Sequence, residues 1–166
     1  MHDVVDVASP LGRLQLRPER EDDQAFRFDL FCNSRLPEWR LVALDPNLFQ
    51  QIMRHQFHAQ TVSYRAQFPN ARFDIVELDR APVGRIVVNR PGDVIHIVDQ
   101  AIVPELRSRG IGTGIMTALM EEARRNDIPV RLKVASDNDP SMRLYFRLGF
   151  AVIDTTVTYL EMEWRG

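Results

Sequence analysis

The chain has 166 residues and a single cysteine, Cys32, so no intrachain disulfide framework holds it together. No apolar run approaches the roughly 20 residues that a membrane-spanning helix needs. No sign of charge dominates: 21 Lys and Arg stand against 23 Asp and Glu, a formal net charge of -2. That balance, without a basic stripe interleaved with aromatics, speaks against nucleic acid or an anionic membrane as the main partner. The first residues, Met1 to Asp6, lack a basic region followed by a long apolar one, so no signal peptide is expected and the protein reads as cytoplasmic. There is neither an internal repeat nor a low-complexity segment. What remains is 45% hydrophobic and 27% charged residues, an ordinary globular composition. The length fits one domain over residues 1–166, able to bury about two thirds of the surface its unfolded chain exposes, with residues 1–10 as a loose lead-in.

Hydrophobic spacing then orders the chain. Leu14 and Leu16 alternate with Arg13, Gln15 and Arg17 as a short strand closed by Pro18. Glu21, Asp22 and Asp23 put acids at a helix start, and Phe26, Leu30 and Phe31 give that helix an apolar face to about Asn33. Pro37, Glu38, Trp39 and Arg40 read as the following loop. Asp45-Pro46 supplies an N-cap and a first-turn proline for a second helix, with Leu48, Ile52, His55, Ala59, Val62 and Ala66 on one stripe and Phe68-Pro69-Asn70 at its end. Three strands follow, over 73–78, 83–89 and 94–103, joined by short turns that imply antiparallel neighbours. After them comes a helix striped with Ile111, Ile115, Met116, Leu119, Met120 and Ala123, stopped at Ile128-Pro129. A strand over 130–134, a two-turn helix opened by Asp139-Pro140 and ended at Gly149, and two closing strands complete the pattern. A helix between the strands at 94–103 and 130–134 predicts that those two run parallel. The expectation is an α/β (α+β) fold with a mixed, mostly antiparallel sheet of about 6–7 strands and helices on both faces.

The most informative stretch is Arg107-Ser108-Arg109-Gly110-Ile111-Gly112-Thr113-Gly114. It follows a strand and opens a helix. Its glycines allow close backbone approach, and the first amides of a helix have no internal partner, so the place suits a phosphate. It is neither a dinucleotide fingerprint, because Ile115 holds the last glycine position, nor a P-loop, because no Gly-Lys-Ser/Thr ending is present. What it contains is Arg-x-x-Gly-x-Gly at Arg107, Gly110 and Gly112. A second stretch, Asn138 to Phe150, contains Asn-x-x-Ser-x-x-x-Tyr-x-x-x-Gly-Phe, with Asn138, Ser141, Tyr145, Gly149 and Phe150.

In that order and spacing, the two blocks resemble the acetyl-CoA-binding motifs of the GCN5-related N-acetyltransferase (GNAT) superfamily, with Ser141 in place of the commoner alanine. The resemblance spans roughly residues 12–164. It implies a V-shaped splay between the fourth and fifth strands that receives the pantetheine arm of acetyl-CoA. It implies that Arg107, Ser108, Arg109, Gly110, Ile111, Gly112 and Thr113 hold the pyrophosphate. Ala101, Ile102 and Val103 would pair with the arm as an extra strand, Asn138 would hydrogen-bond it or the splayed backbone, and the amide near Gln100 would polarise the thioester carbonyl. Tyr145 matches the family's general acid and would also touch the cofactor.

The implied reaction is transfer of an acetyl group to a primary amine by direct attack in a ternary complex, without a metal. The amine must lose a proton, and His96 occupies the place where histone-modifying members carry a glutamate. Asp99, water or Glu77 are alternatives. Strand parity sets His96, Val98, Gln100 and Ile102 on one face and Asp99 on the other, unless a bulge intervenes. Phe31, Trp39 and Phe57, and the acids Glu38, Asp45 and Asp74, lie where an amine would be recognised or, more blandly, where core and solvated surface fall. Small amines, amino acids, aminoglycosides and protein amines all remain open as acceptors. A non-catalytic acyl-CoA-binding module is the competing function, and a homodimer through the closing strands fits the superfamily. His55 and His58 lack a third ligand nearby in sequence, so no metal is expected.

Overall fold

A computed structural model describes residues 3–39 and 45–166, with side chains described for 3–34 and 45–166. Eight strands form one sheet in the order β1-β2-β3-β4-β5-β6-β8-β7. They are β1 (Val5–Ser9), β2 (Gly12–Pro18), β3 (Arg72–Leu78), β4 (Ala81–Asn89), β5 (Ile95–Ile102), β6 (Val130–Ala135), β7 (Ala151–Thr155) and β8 (Tyr159–Trp164). All neighbours are antiparallel except β5 and β6. That exception has a simple cause. The helix α3 (Ile111–Asn126) carries the chain from one end of the sheet back to the other between β5 and β6.

The expected lead-in is instead a strand. Val5 pairs with Leu16 and Val7 with Leu14, Val7 is buried, and the hairpin turns at Gly12 with a positive φ of 124°. This extra strand accounts for eight strands rather than 6–7. The face of the sheet carrying Leu14, Val76, Ile86, Val88, Ile97 and Leu132 packs on Ile111, Ile115, Met116 and Leu119 of α3. Burying such side chains supplies the main driving force, about 1.5–3 kcal/mol each.

The helices α1 (Gln24–Trp39) and α2 (Pro46–Gln67) come between β2 and β3. α1 runs past Asn33 and through Pro37 to Trp39, where a loop was expected; Arg40 and the side chains of Glu38 and Trp39 lie outside the described residues. Asp45 caps α2 as expected, accepting from the Asn47 and Leu48 amides. The buried face of α2 differs from the expected stripe. Met53 and Phe57 are buried, whereas Leu48 is 46% and Val62 54% exposed. Aromatic packing rotated the choice: Phe57 meets Phe28 and Phe31 of α1 at ring-centroid distances of 5.5 and 5.6 Å. Phe31 and Phe57 are therefore core residues.

Two irregularities shape the middle of the sheet. β5 and β6 pair only at Ile95–Val130, His96–Arg131 and Ile97–Leu132, although β6 continues along β8 to Ala135. Beyond Ile97 and Leu132 the strands part, which is the V-shaped splay. Next to this point β5 is bulged: Val88 pairs with Ile97 and Val87 with Asp99, leaving Val98 as the extra residue. A bulge bends its strand and resets which side chains share a face.

Candidate active site

The splay holds a cavity of about 130 Å³, with Asp99, Gln100, Lys133, Asn138, Ser141 and Tyr145 among its lining residues. Its β5 wall presents backbone polar groups. The Val103 N–H donates to the Val83 carbonyl at 2.9 Å, and Ala101 pairs with Arg85 two residues earlier. In an antiparallel ladder bonded and non-bonded pairs alternate. The Ala101 groups therefore turn toward β4, and those of Gln100 and Ile102 turn into the opening. The Ile102 carbonyl accepts from Arg107 Nε at 3.1 Å, which ties the strand end to the following loop. Val103 is committed to the sheet, so Gln100 and Ile102 are the residues with backbone groups to offer.

The glycine-rich loop ends at the start of α3. Gly110 is its N-cap, in the left-handed region at φ 91°, with no capping side chain. The Gly114 amide closes on the Gly110 carbonyl at 2.9 Å. The amides of Ile111, Gly112 and Thr113 precede the first such bond and have no acceptor among the described residues, as the first turn of a helix dictates. The three glycines differ in what they require. A Cβ on Gly110 would lie 2.6 Å from Pro10 Cγ, and one on Gly114 would lie 2.5 Å from the Ala8 carbonyl oxygen of β1. A Cβ on Gly112 would meet only Gln100 Nε2 at 3.5 Å and Leu144 Cδ2 at 3.9 Å. Packing thus demands Gly110 and Gly114 but leaves Gly112 free to vary. Ser108, at φ 59°, is a non-glycine residue held in the left-handed region in the same loop.

Opposite the loop stands α4 (Asp139–Arg147). The Asn138 Oδ1 caps it by accepting from the Ser141 amide at 3.3 Å, which leaves the Asn138 Nδ2 donors available. Its far end is a Schellman motif: Phe150 N–H to Tyr145 carbonyl and Gly149 N–H to Phe146 carbonyl, both 3.0 Å, with Gly149 at φ 94°. The accompanying apolar contact is between Tyr145 and buried Phe150, 5.8 Å between ring centroids. Gly149 and Phe150 thereby fix the residue that carries the phenol. Burial first, and then the charge of Asp99, push the Tyr145 hydroxyl up to about 12. Tyr145 keeps its proton at neutral pH.

The bulge decides which titratable groups share this cleft. Pairing of Asn89 with His96 and Val87 with Asp99 sets both on one face, so the opposition expected from simple alternation is removed. His96, however, lies in the still-paired part of β5, edge-on to the Phe68 ring at 5.4 Å. Burial, and next Lys133, hold its imidazole below the usual value. Asp99 lines the cavity with Tyr145, and Arg85 Nη1 lies 3.5 Å from its Oδ2. Glu77 is taken by Arg17 at 2.7 Å, and Asp74 is buried beside Arg72. Among the described residues no group of three or more His, Cys, Asp or Glu could hold a metal ion. A larger groove of about 880 Å³ between α1 and α2 shares no lining residue with this cleft.

A cleft made by a parting pair of parallel strands, an uncapped helix start and a phenol is what the two sequence blocks imply together. The family model described as "Acetyltransferase (GNAT) family" matches residues 36–150. The chain belongs to the GNAT family. GNAT structures share its architecture at low identity. The PaiA N-acetyltransferase from Thermoplasma acidophilum, solved in complex with coenzyme A, is 17% identical, with a TM-score of 0.69 over 92% of this chain and 99% of that one. RimJ from Mycobacterium smegmatis, in complex with CoA-disulfide, is 16% identical, with a TM-score of 0.63 over 98% and 87%. Ard1 from Thermoplasma volcanium is 19% identical, with a TM-score of 0.62 over 92% and 97%. Among curated proteins none matches the sequence. No helix among the described residues is long and apolar enough to cross a membrane.

Of the residues singled out in the sequence of this GNAT protein, Gln100, Asn138 and Tyr145 meet at the cleft, and Ala101 to Val103 and the 107–113 loop adjoin it. His96 is not among the residues that line the cleft with Tyr145. Asp99 is among them, through a bulge that one sequence cannot reveal. Sequence reasoning missed Arg85 and Glu19 entirely, since each reads locally as a strand or loop charge.

Proposed function

We propose that this GNAT protein transfers an acetyl group from acetyl-CoA to a primary amine by direct attack in a ternary complex. The observation that carries the reading is the meeting, at one cleft, of three unpartnered helix amides, an open strand edge and a protonated phenol. The residues present fit coenzyme A. Gly112 has no packing reason to be glycine, so its bare backbone is accounted for by a ligand that must come close. The amides of residues 111–113, with the arginines Arg107 and Arg109 in the preceding loop, suit a pyrophosphate. The Gln100 and Ile102 backbone edge and Asn138 Nδ2 suit the amides of a pantetheine arm. When bound, acetyl-CoA supplies an acyl group activated as a thioester.

The chain's own residues then have distinct tasks. The Gln100 amide, facing the opening, offers a donor to negative charge developing on a carbonyl oxygen. Tyr145 holds a proton below pH about 12 and offers it to the leaving sulfur. Asp99 draws the acceptor's ammonium into the cleft and orients it. A carboxylate is a far weaker base than an amine, so Asp99 orients the ammonium and its proton leaves along the cleft to water. His96, in the closed part of the sheet, has a structural role.

The test begins with calorimetric titration of the protein with acetyl-CoA, followed by CoA-thiol release with phenethylamine, cadaverine, lysine and an aminoglycoside as acceptors. One-to-one binding and turnover of at least one amine are expected, with Tyr145→Phe lowering kcat about 10²-fold while leaving acetyl-CoA affinity nearly unchanged. Binding without turnover of any amine would favour a non-catalytic acyl-CoA-binding module. No binding at millimolar acetyl-CoA would refute both.

A further inference from the structure

Under α1 and α2 lies a set of ion pairs, centred on buried Glu19 and Arg85, that ends in the cleft. Glu19, whose side chain is 4% exposed, accepts from Arg65 at 2.6 Å and Arg85 at 3.0 Å and lies 3.4 Å from Arg27. Arg85, 7% exposed, spans two carboxylates. Its Nε and Nη2 reach Glu19 at 3.0 and 3.5 Å, and its Nη1 reaches Asp99 at 3.5 Å. Asp99 is 30% exposed and lines the splay. Burial therefore falls from a rigid root to an accessible tip. A guanidinium can do this because its donors lie in one plane and point in several directions at once; an ammonium cannot bridge the two acids in the same way. Glu19 keeps two other arginines without Arg85, so neutralising Glu19 does not account for the Nη1 contact with Asp99.

We infer that Arg85 is a positioning residue: anchored by Glu19, it keeps the Asp99 carboxylate ionised and fixed at the mouth of the cleft. Among the described residues, Tyr145 from α4 and Lys133 from β6 line the cavity with Asp99, and His96 shares its face of β5. Arg85 is in ion-pair contact with it, Nη1 to Oδ2 at 3.5 Å. The catalytic consequence rests on the proposed acetyl transfer; the electrostatic one does not.

The experiment is a carbon-13 NMR titration of the Asp99 carboxyl in the intact protein, assigned with Asp99→Asn, compared with Arg85→Met and Arg85→Lys. Removing a cation at this distance is expected to raise the Asp99 midpoint by about one to three pH units in Arg85→Met. Arg85→Lys, which keeps the charge and protects folding, is expected to raise it by a smaller but resolvable amount. An Asp99 midpoint unmoved in Arg85→Met, or in Arg85→Lys if the methionine variant does not fold, overturns the inference. Turnover adds a second arm with any acceptor that proves active. Arg85→Lys should lower kcat/KM in the wild-type background and add little to Asp99→Asn. Full additivity of the two would mean that Arg85 acts on the fold alone. Turnover by Asp99→Asn equal to wild type would sink the role given to Asp99 under the proposed function, leaving the titration to judge Arg85.

Discussion

Replacing Gly112 with alanine separates what the fold needs from what a ligand needs. The added methyl meets neighbours at 3.5 and 3.9 Å, ordinary contact distances, and φ at this residue is helical. Exchanging a helical glycine for alanine adds up to about 0.5–1 kcal/mol, by restricting the unfolded chain. For a chain of this size that corresponds to a rise in Tm of about 1–4 °C. The comparison variants behave oppositely. Gly110→Ala places a side chain at φ 91° and 2.6 Å from Pro10, and Gly114→Ala drives a methyl to 2.5 Å from the Ala8 carbonyl, lifting α3 off β1. Backbone strain alone costs about 1–3 kcal/mol at the first, a loss of about 2–12 °C. The assay is thermal melting followed by calorimetric titration with acetyl-CoA. Gly112→Ala should melt at or above wild type yet bind acetyl-CoA at least about tenfold more weakly, about 1.4 kcal/mol. Its ligand-induced rise in Tm should shrink in step, because stabilisation follows RT ln(1 + [L]/Kd). A stable Gly112→Ala that binds acetyl-CoA as wild type does would refute the assignment of the α3 start as the pyrophosphate cradle.

Two further outcomes follow from the same geometry. Gly149→Ala forces φ 94° on a residue with a side chain and weakens the cap that anchors Tyr145 to Phe150. It should lower Tm by about 2–8 °C, from a cost of about 1–2 kcal/mol, and reduce kcat more than acetyl-CoA affinity, read by melting and steady-state kinetics. His96 is held below its unfolded value of 6.5 by burial and then by Lys133, so the folded state binds fewer protons. Its contribution is complete above pH 6.5 and is lost as pH falls from there through the lower folded value. Urea unfolding at pH 7.5 and 5.5 should show this loss in wild type and a smaller one in His96→Phe; equal losses in both would remove His96 from the account.

Much of this protein is legible one segment at a time. Asp45-Pro46 and Asn138 announce helix starts, Gly149-Phe150 announces a helix end, and the glycine loop between two strand patterns announces a parallel crossover. These signals work because caps, turns and helix starts are settled by residues within a few positions of one another. The sequence could also nominate Tyr145 and Gly112, whose places follow from such local geometry. It could not show that His96 and Asp99 share a face. A strand's faces alternate until a residue is inserted, and the insertion at Val98 exists only in how its neighbours Ile97 and Asp99 pair with Val88 and Val87 on β4. Nor could it show the buried face of α2, which Phe28 and Phe31 on another helix select. The Glu19–Arg85–Asp99 array is the extreme case, since Glu19 and Arg85 stand 66 positions apart in the chain. Charges in one sequence read alike, whether solvated or paired. Only the tertiary fold removes the water around some of them, and with it decides which arginine answers which carboxylate.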